Sequence, residues 1–143
     1  GGCENSASSA KAFLEITDLE FTVRDARPPL VAASGTLKNW GDDGRWHRGT
    51  AGYSVTSLDQ GSGVSRSYLK VNGSLVDLTS TSCPAARPNY ATSFSPCPAS
   101  QSFQDSINTS SSPFQEGLNR LQFCTEDYSI TASSGQPSCT SEK

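Results

Sequence analysis

Methionine is absent from this chain, position 1 included, and histidine occurs once. The first absence leads to the expectation of a processed product, with a removed signal peptide as the simplest account, or of a chain whose opening Gly1-Gly2 is an addition. The second narrows the enzyme classes. His47 has ring nitrogens for general-base work, but a triad also needs a placed nucleophile and an orienting acid. No G-x-S-x-G elbow occurs, and the serines sit in generic loop contexts. The chain therefore reads as a protein without catalysis and without a cofactor. No run approaches the ~18–20 apolar residues of a membrane span, so no membrane insertion is expected. The net charge is −3 and no basic cluster is longer than a few residues, which leaves a nucleic-acid partner poorly supported. No C-x-x-C pair occurs among Cys3, Cys83, Cys97, Cys124 and Cys139, which argues against zinc and thiol-redox motifs. Asp42 and Asp43 lack the alternating oxygens and closing Glu of a calcium loop. They read as a solvated turn, and no metal site is expected.

What is present describes a small, loop-rich β protein. The 143 residues suit one domain, and a chain of that size buries about 68–70% of its unfolded surface. Apolar residues are only 34% of the chain, but charged residues are also few at 17%. The apolar residues fall in strand-like runs, which favours a fold over disorder. The expected class is all-β, a compact antiparallel β-barrel or sandwich stapled by two local disulfides. Residues 1–12 would be a flexible N-terminal arm, residues 13–132 a β-barrel domain, and residues 133–143 a polar C-terminal tail. The cysteine spacing points to Cys83–Cys97 and Cys124–Cys139, each closing a loop of about 15 residues and stabilising by about 3 kcal/mol in the chain-entropy view. Cys3 is left over, as a free thiol or an interchain bridge. The sequons at Asn72 and Asn108 are glycosylation candidates and fit a secreted, extracellular protein.

The strongest strand signal is Phe13–Val23, FLEITDLEFTV. Its two apolar alternations are out of phase, which predicts a bulge or bend at Thr17–Asp18. Arg27-Pro28-Pro29 breaks it. Leu30–Leu37 reads as a second strand with Gly35 as a bulge, and Tyr53–Leu58 as a third. Ser65–Leu78 is a hairpin around Asn72-Gly73, a pair suited to a type I′ turn. That turn would pair Leu69 with Val76 and Ser67 with Leu78, placing Leu69, Val71, Val76 and Leu78 on the core face. Residues 79–112 should be mostly irregular, with a short strand near Ser102–Ile107. Ser112-Pro113-Phe114-Gln115 resembles a one-turn helix start. Leu118–Phe123 and Asp127–Thr131 read as the last strands.

Asn39–Gly49, NWGDDGRWHRG, reads as a loop or hairpin tip holding both tryptophans and the histidine. Trp40, Arg45, Trp46, His47 and Arg48 are the recognition-loop candidates, because aromatics beside arginines stack on ring ligands or anchor protein interfaces. The competing role for either tryptophan is to cap the end of the core. The loop motivates a small-ligand or carbohydrate-binding function.

Cys3, nine residues, Phe13 and then L-E-I-T-D-L-E-F resemble the opening of the Alternaria major-allergen family of fungal secreted proteins. The apolar site is Leu14, the isoleucine Ile16, the acid Asp18 and the last apolar site Leu19. The cysteine order is also similar. The family usually has Trp in this strand, and there a strand follows the last cysteine. The resemblance implies a compact antiparallel β-barrel, Cys83–Cys97 and Cys124–Cys139 within the chain, and Cys3 bridging a homodimer. It further implies a non-catalytic effector or elicitor of fungal virulence, allergen-like, that triggers plant defence such as the hypersensitive response. Its partner would be a plant host protein, either a thaumatin-like defence protein or a surface receptor.

Overall fold

The computed structural model describes residues 25–86, 91–129 and 137–140. The arm carrying Cys3 and the expected strand Phe13–Val23 lie outside them. The elements are β1 (Leu30–Ser34), α1 (Thr36–Asp42), β2 (Thr50–Leu58), β3 (Val64–Val71), β4 (Ser74–Ser80), β5 (Ser100–Asn108), β6 (Leu121–Asp127) and β7 (Ser138–Cys139). They form two antiparallel sheets, ordered β1-β2-β5 and β4-β3-β6-β7. The sheets pack as a sandwich, and among the described residues they do not close into a barrel.

Strand β2 shows the principle best. Every second residue, Ala51, Tyr53, Val55 and Ser57, is buried, while Gly52, Thr56 and Leu58 are exposed. A pleated strand turns alternate side chains to opposite faces, so this pattern puts one face against the second sheet. Leu69 and Val71 of β3 and Leu121 and Phe123 of β6 meet it from the other side. The Tyr53 ring lies 5.7 Å from the ring of Phe123 and edge-on to Phe103 at 6.0 Å. Its hydroxyl, buried with it, donates to the Asp77 carboxylate. Burial and that carboxylate together push the phenol well above its ordinary range.

The Asn72-Gly73 turn is as expected: both residues have positive φ, 53° and 81°, the backbone shape of a type I′ turn. The register beyond it differs from expectation. Lys70 pairs with Leu75, but Leu69 pairs with Asp77 and Tyr68 with Leu78. Val76 is thus an extra residue, a bulge that exchanges the faces of everything after it. Asp77 turns inward to Tyr53, and Leu78 is 44% exposed instead of joining the core.

The expected strand through Leu37 ends at Ser34, and α1 follows. Gly35, expected as a bulge, precedes the helix at φ 102°, and a Cβ there would lie 2.8 Å from the Gly52 oxygen and the Tyr53 Cα. Only glycine tolerates both conditions. A seven-residue helix is marginal alone; α1 is held by Leu37, which is fully buried, and by Trp40 one turn later, packed on the core. The expected helix start at Ser112 is a turn, with a cis Ser112–Pro113 bond. A single strand, Leu121–Asp127, replaces the two expected at Leu118–Phe123 and Asp127–Thr131; residues 130–136 lie outside the described residues. Strand β5 is longer than expected. Both disulfides pair as expected, Cys83 with Cys97 and Cys124 with Cys139. The second ties β7, from the polar tail, to β6.

The bulge is testable by paired truncations. Leu69→Ala should cost about 2–5 kcal/mol in chemical denaturation, as for other buried leucines. Leu78→Ala should change stability by only about 0.5 kcal/mol or less, as surface substitutions do. Equal losses at the two positions would restore the uninterrupted register.

Candidate functional site

The interior divides along its length. Toward one end it is polar: Ser57 and Ser67 share a hydrogen bond at 2.8 Å, and Ser67 also meets Thr125 at 3.2 Å and donates to Gln101 at 3.2 Å. Toward the other it is apolar, with Leu37, Trp40, Leu121 and Phe114. An open cleft of about 810 Å³ lies at the apolar end, between the segment from α1 to β2 and the segment from β5 to β6.

Its first wall is the stretch Asn39–Gly49, expected as a loop throughout; residues 39–42, Trp40 among them, instead form the end of α1, and a loop follows. Asp43 organises it, accepting the Arg45 N–H at 2.9 Å and facing His47 Nε2 at 2.8 Å. The hydrogen bond from Arg45, with a smaller contribution from His47, holds the Asp43 carboxyl below its ordinary range. The His47 ring stacks on Trp40 at 4.7 Å with 3° between planes. Trp40 is half-buried against the core, so it takes the packing role, whereas Trp46 is 83% exposed. Arg45 and Arg48 both line the cleft. Arg48 Nε donates to Ser110 Oγ at 3.1 Å, which fixes one edge of its guanidinium. Gly49 and Thr109 exchange hydrogen bonds of 2.9 and 3.1 Å, joining the two walls.

The second wall, residues 109–121, was not singled out from the sequence as part of a site. Phe114 packs its ring on the core, and Leu118 is 80% exposed beside the cleft. Asn119 shapes the turn: its amide donates to the Gln115 and Gly117 carbonyls, and its oxygen accepts the Gln115 N–H at 3.0 Å. Asn72, one glycosylation candidate, buttresses this wall. Its Nδ2 donates to the Pro113 carbonyl and to Asn119 Oδ1, and its Oδ1 accepts the Arg120 N–H. A glycan on Nδ2 would replace one of those two donors. Asn108, the other candidate, is exposed at the end of β5.

At the polar end the structure assembles three carboxylates that no spacing in the sequence signals. Asp25, Asp59 and Asp127 each present an oxygen within 4.8 Å of the others. Hard oxygens of this kind are what a divalent cation takes, and no other such set occurs among the described residues. Protein donors serve them: Ser62 N–H and Arg27 N–H to Asp25, Gly63 N–H to Asp59, Ser129 Oγ to Asp127. A Cβ on Gly61 would sit 1.9 Å from Asp25 Oδ2, so that carboxylate needs a glycine beneath it. Burial raises the Asp59 carboxyl above 3.8, and its neighbours Asp25 and Asp127 add to the rise against opposing backbone hydrogen bonds. Burial also acts to raise Asp25, but the Ser62 and Arg27 N–H groups outweigh it and leave Asp25 lowered.

Asp59 yields a pH prediction. An acid with a raised folded pKa contributes most when protonated in both states, and that contribution is lost as pH rises through the folded value. Asp59→Asn keeps an acceptor and removes the titration. The stability of the variant relative to wild type should therefore improve from about pH 3 to about pH 7, measured by denaturant midpoints in a chelator. A difference independent of pH would refute the assignment. Asp25 and Asp59 repel when both are charged, so removing the Asp59 charge also relieves Asp25 and acts in the same direction.

No protein-family model, curated protein or solved structure matches this chain.

Proposed function

We propose that the protein is a non-catalytic binding protein whose cleft holds a ring-shaped small ligand, of sugar or aromatic type, stacked on Trp46. The observation that carries this reading is the exposure of Trp46 at 83% in an open cleft of about 810 Å³. A large apolar ring left in water is costly unless something covers it. The cleft volume is in the range of small-molecule sites. Two hydrogen-bonded walls hold it in shape before a ligand arrives, which limits the ordering cost of binding.

A second reading follows the resemblance: a secreted effector or elicitor that meets a plant host protein through the same surface. Exposed Trp46 and Leu118, with Arg45 next to Trp46 in the chain, have the composition of an interface anchor. In this reading the protein works outside the producing cell, with Cys3 as the site of homodimer formation.

Tryptophan emission should shift on titration with a small ring ligand, and Trp46→Ala should reduce affinity by about tenfold or more, as loss of an anchor does. Trp40→Ala should instead lower stability, because that ring is packed on the core. A flat titration across sugars and aromatics, with Trp46→Ala protein still triggering no less plant response than wild type, would remove the cleft from both readings.

A further inference from the structure

The polar groups around Trp46 define what kind of ring the cleft takes. Neutral sugars are commonly held by side-chain amides and carboxylates that bond their hydroxyls. Here some of the amides and carboxylates at this end are already engaged, while the exposed side chains of Gln115 and Glu116 remain in the lining. The Asn119 amide is committed to Gln115, Gly117 and Asn72, and Asp43 to Arg45 and His47. The guanidiniums are different. The Arg45 side chain makes no hydrogen bond or ion pair among the described residues, and Arg48 is bonded there only through Nε to Ser110. Both line the cleft and both flank Trp46 in the chain. Against them stands one carboxylate in the lining, Glu116. The cleft is thus locally basic in a chain whose net charge is −3.

Guanidiniums pair with planar carboxylates through two parallel hydrogen bonds. The indole face, negative at its centre, suits the polarised C–H face of a pyranose. From these two features together we infer that the ligand is a uronic-acid oligosaccharide, with a sugar ring on Trp46 and ring carboxylates on Arg45 and Arg48. This rests on the ring-binding reading above and adds the charge. A nucleic acid is a poorer fit, because it needs a basic surface that tracks a phosphate backbone. Here the lining offers two arginines and one carboxylate, Glu116, too few cations to track one. An acidic peptide satisfies the arginines but offers no sugar face to the indole.

The test is calorimetric titration of the full chain with an oligogalacturonate, beside the same oligosaccharide fully methyl-esterified. The ester keeps the ring and removes the charge. The acid form should bind at least about tenfold tighter than the ester, and Arg45→Gln and Arg48→Gln should each weaken it by roughly tenfold, the scale of one charge-assisted bond. Glu116→Gln should strengthen it, and raising salt from about 50 to about 500 mM should weaken it. Arg45, Trp46 and Glu116 are exposed, so these variants should fold, and circular dichroism checks this. Equal affinity for acid and ester would overturn the uronate inference and leave ring binding standing. Binding of a poly-glutamate peptide as tight as that of the oligogalacturonate, and insensitive to Trp46→Ala, would overturn it in favour of a protein partner. Binding of neither sugar, with no response to other ring ligands, would overturn both readings.

Discussion

The structure depends on one thin apolar layer between two sheets. Tyr53 and Val55 from β2 meet Leu69 and Val71 from β3 and Phe123 from β6, with Ala51, Leu37 and Leu121 completing the buried cluster. A chain with 34% apolar residues has little more to bury, and the hydrophobic term scales with the area removed from water. The rest of the architecture compensates for that. Ser57, Ser67 and Thr125 occupy the interior where apolar residues run out, hydrogen-bonded to one another, because an unpaired buried hydroxyl is destabilising. Cys83–Cys97 and Cys124–Cys139 close loops of 14 and 15 residues in sequence separation, restricting the unfolded chain where the core cannot supply more.

The second sheet is satisfied on its outer face as well. Tyr68, beside the Cys124 half-cystine, is buried there and donates to Glu126 at 3.0 Å, while Arg66 Nε donates to the same carboxylate at 2.6 Å. Burial first and the Glu126 contact second push the Tyr68 phenol up to about 12. A tyrosine, a carboxylate and a guanidinium thus form one network that holds β3 to β6 from outside, as the apolar layer holds them from within. With both faces occupied and a paired strand on each edge, β3 is an inner strand of the second sheet. The loops at the two ends are what is free to specialise: one gathers carboxylates, the other gathers aromatic and cationic side chains around a cleft.

How much of this could be read from the chain differs feature by feature. The Asn72-Gly73 turn was legible because two positive φ values in succession demand those residues. The alternation of β2 was legible because a half-buried strand has period two. The bulge at Val76 was not, because S-L-V-D-L offers an unbroken alternative, and the contact between Asp77 and Tyr53 that accompanies the observed register joins residues far apart in the chain. Helix α1 was missed because T-L-K-N-W-G-D has weak helical propensity; burial of Leu37 makes it helical. The Trp/Arg loop was legible as a recognition candidate from its residue types. Its division of labour, Trp40 inward and Trp46 outward, was not.

The sequence by itself determined the class of fold, the hairpin turn, the two disulfide loops and the chemical character of one loop. All of these arise from contacts close along the chain or from the residue types alone. Tertiary structure decided the site. Arg48 meets Ser110 and Asn72 meets Asn119 across 62 and 47 residues, and Asp25, Asp59 and Asp127 converge from three distant segments. Neither the second wall of the cleft nor the carboxylate cluster has a local signal. Each exists only because two sheets, paired in one register, bring their connecting segments together at the ends of the sandwich.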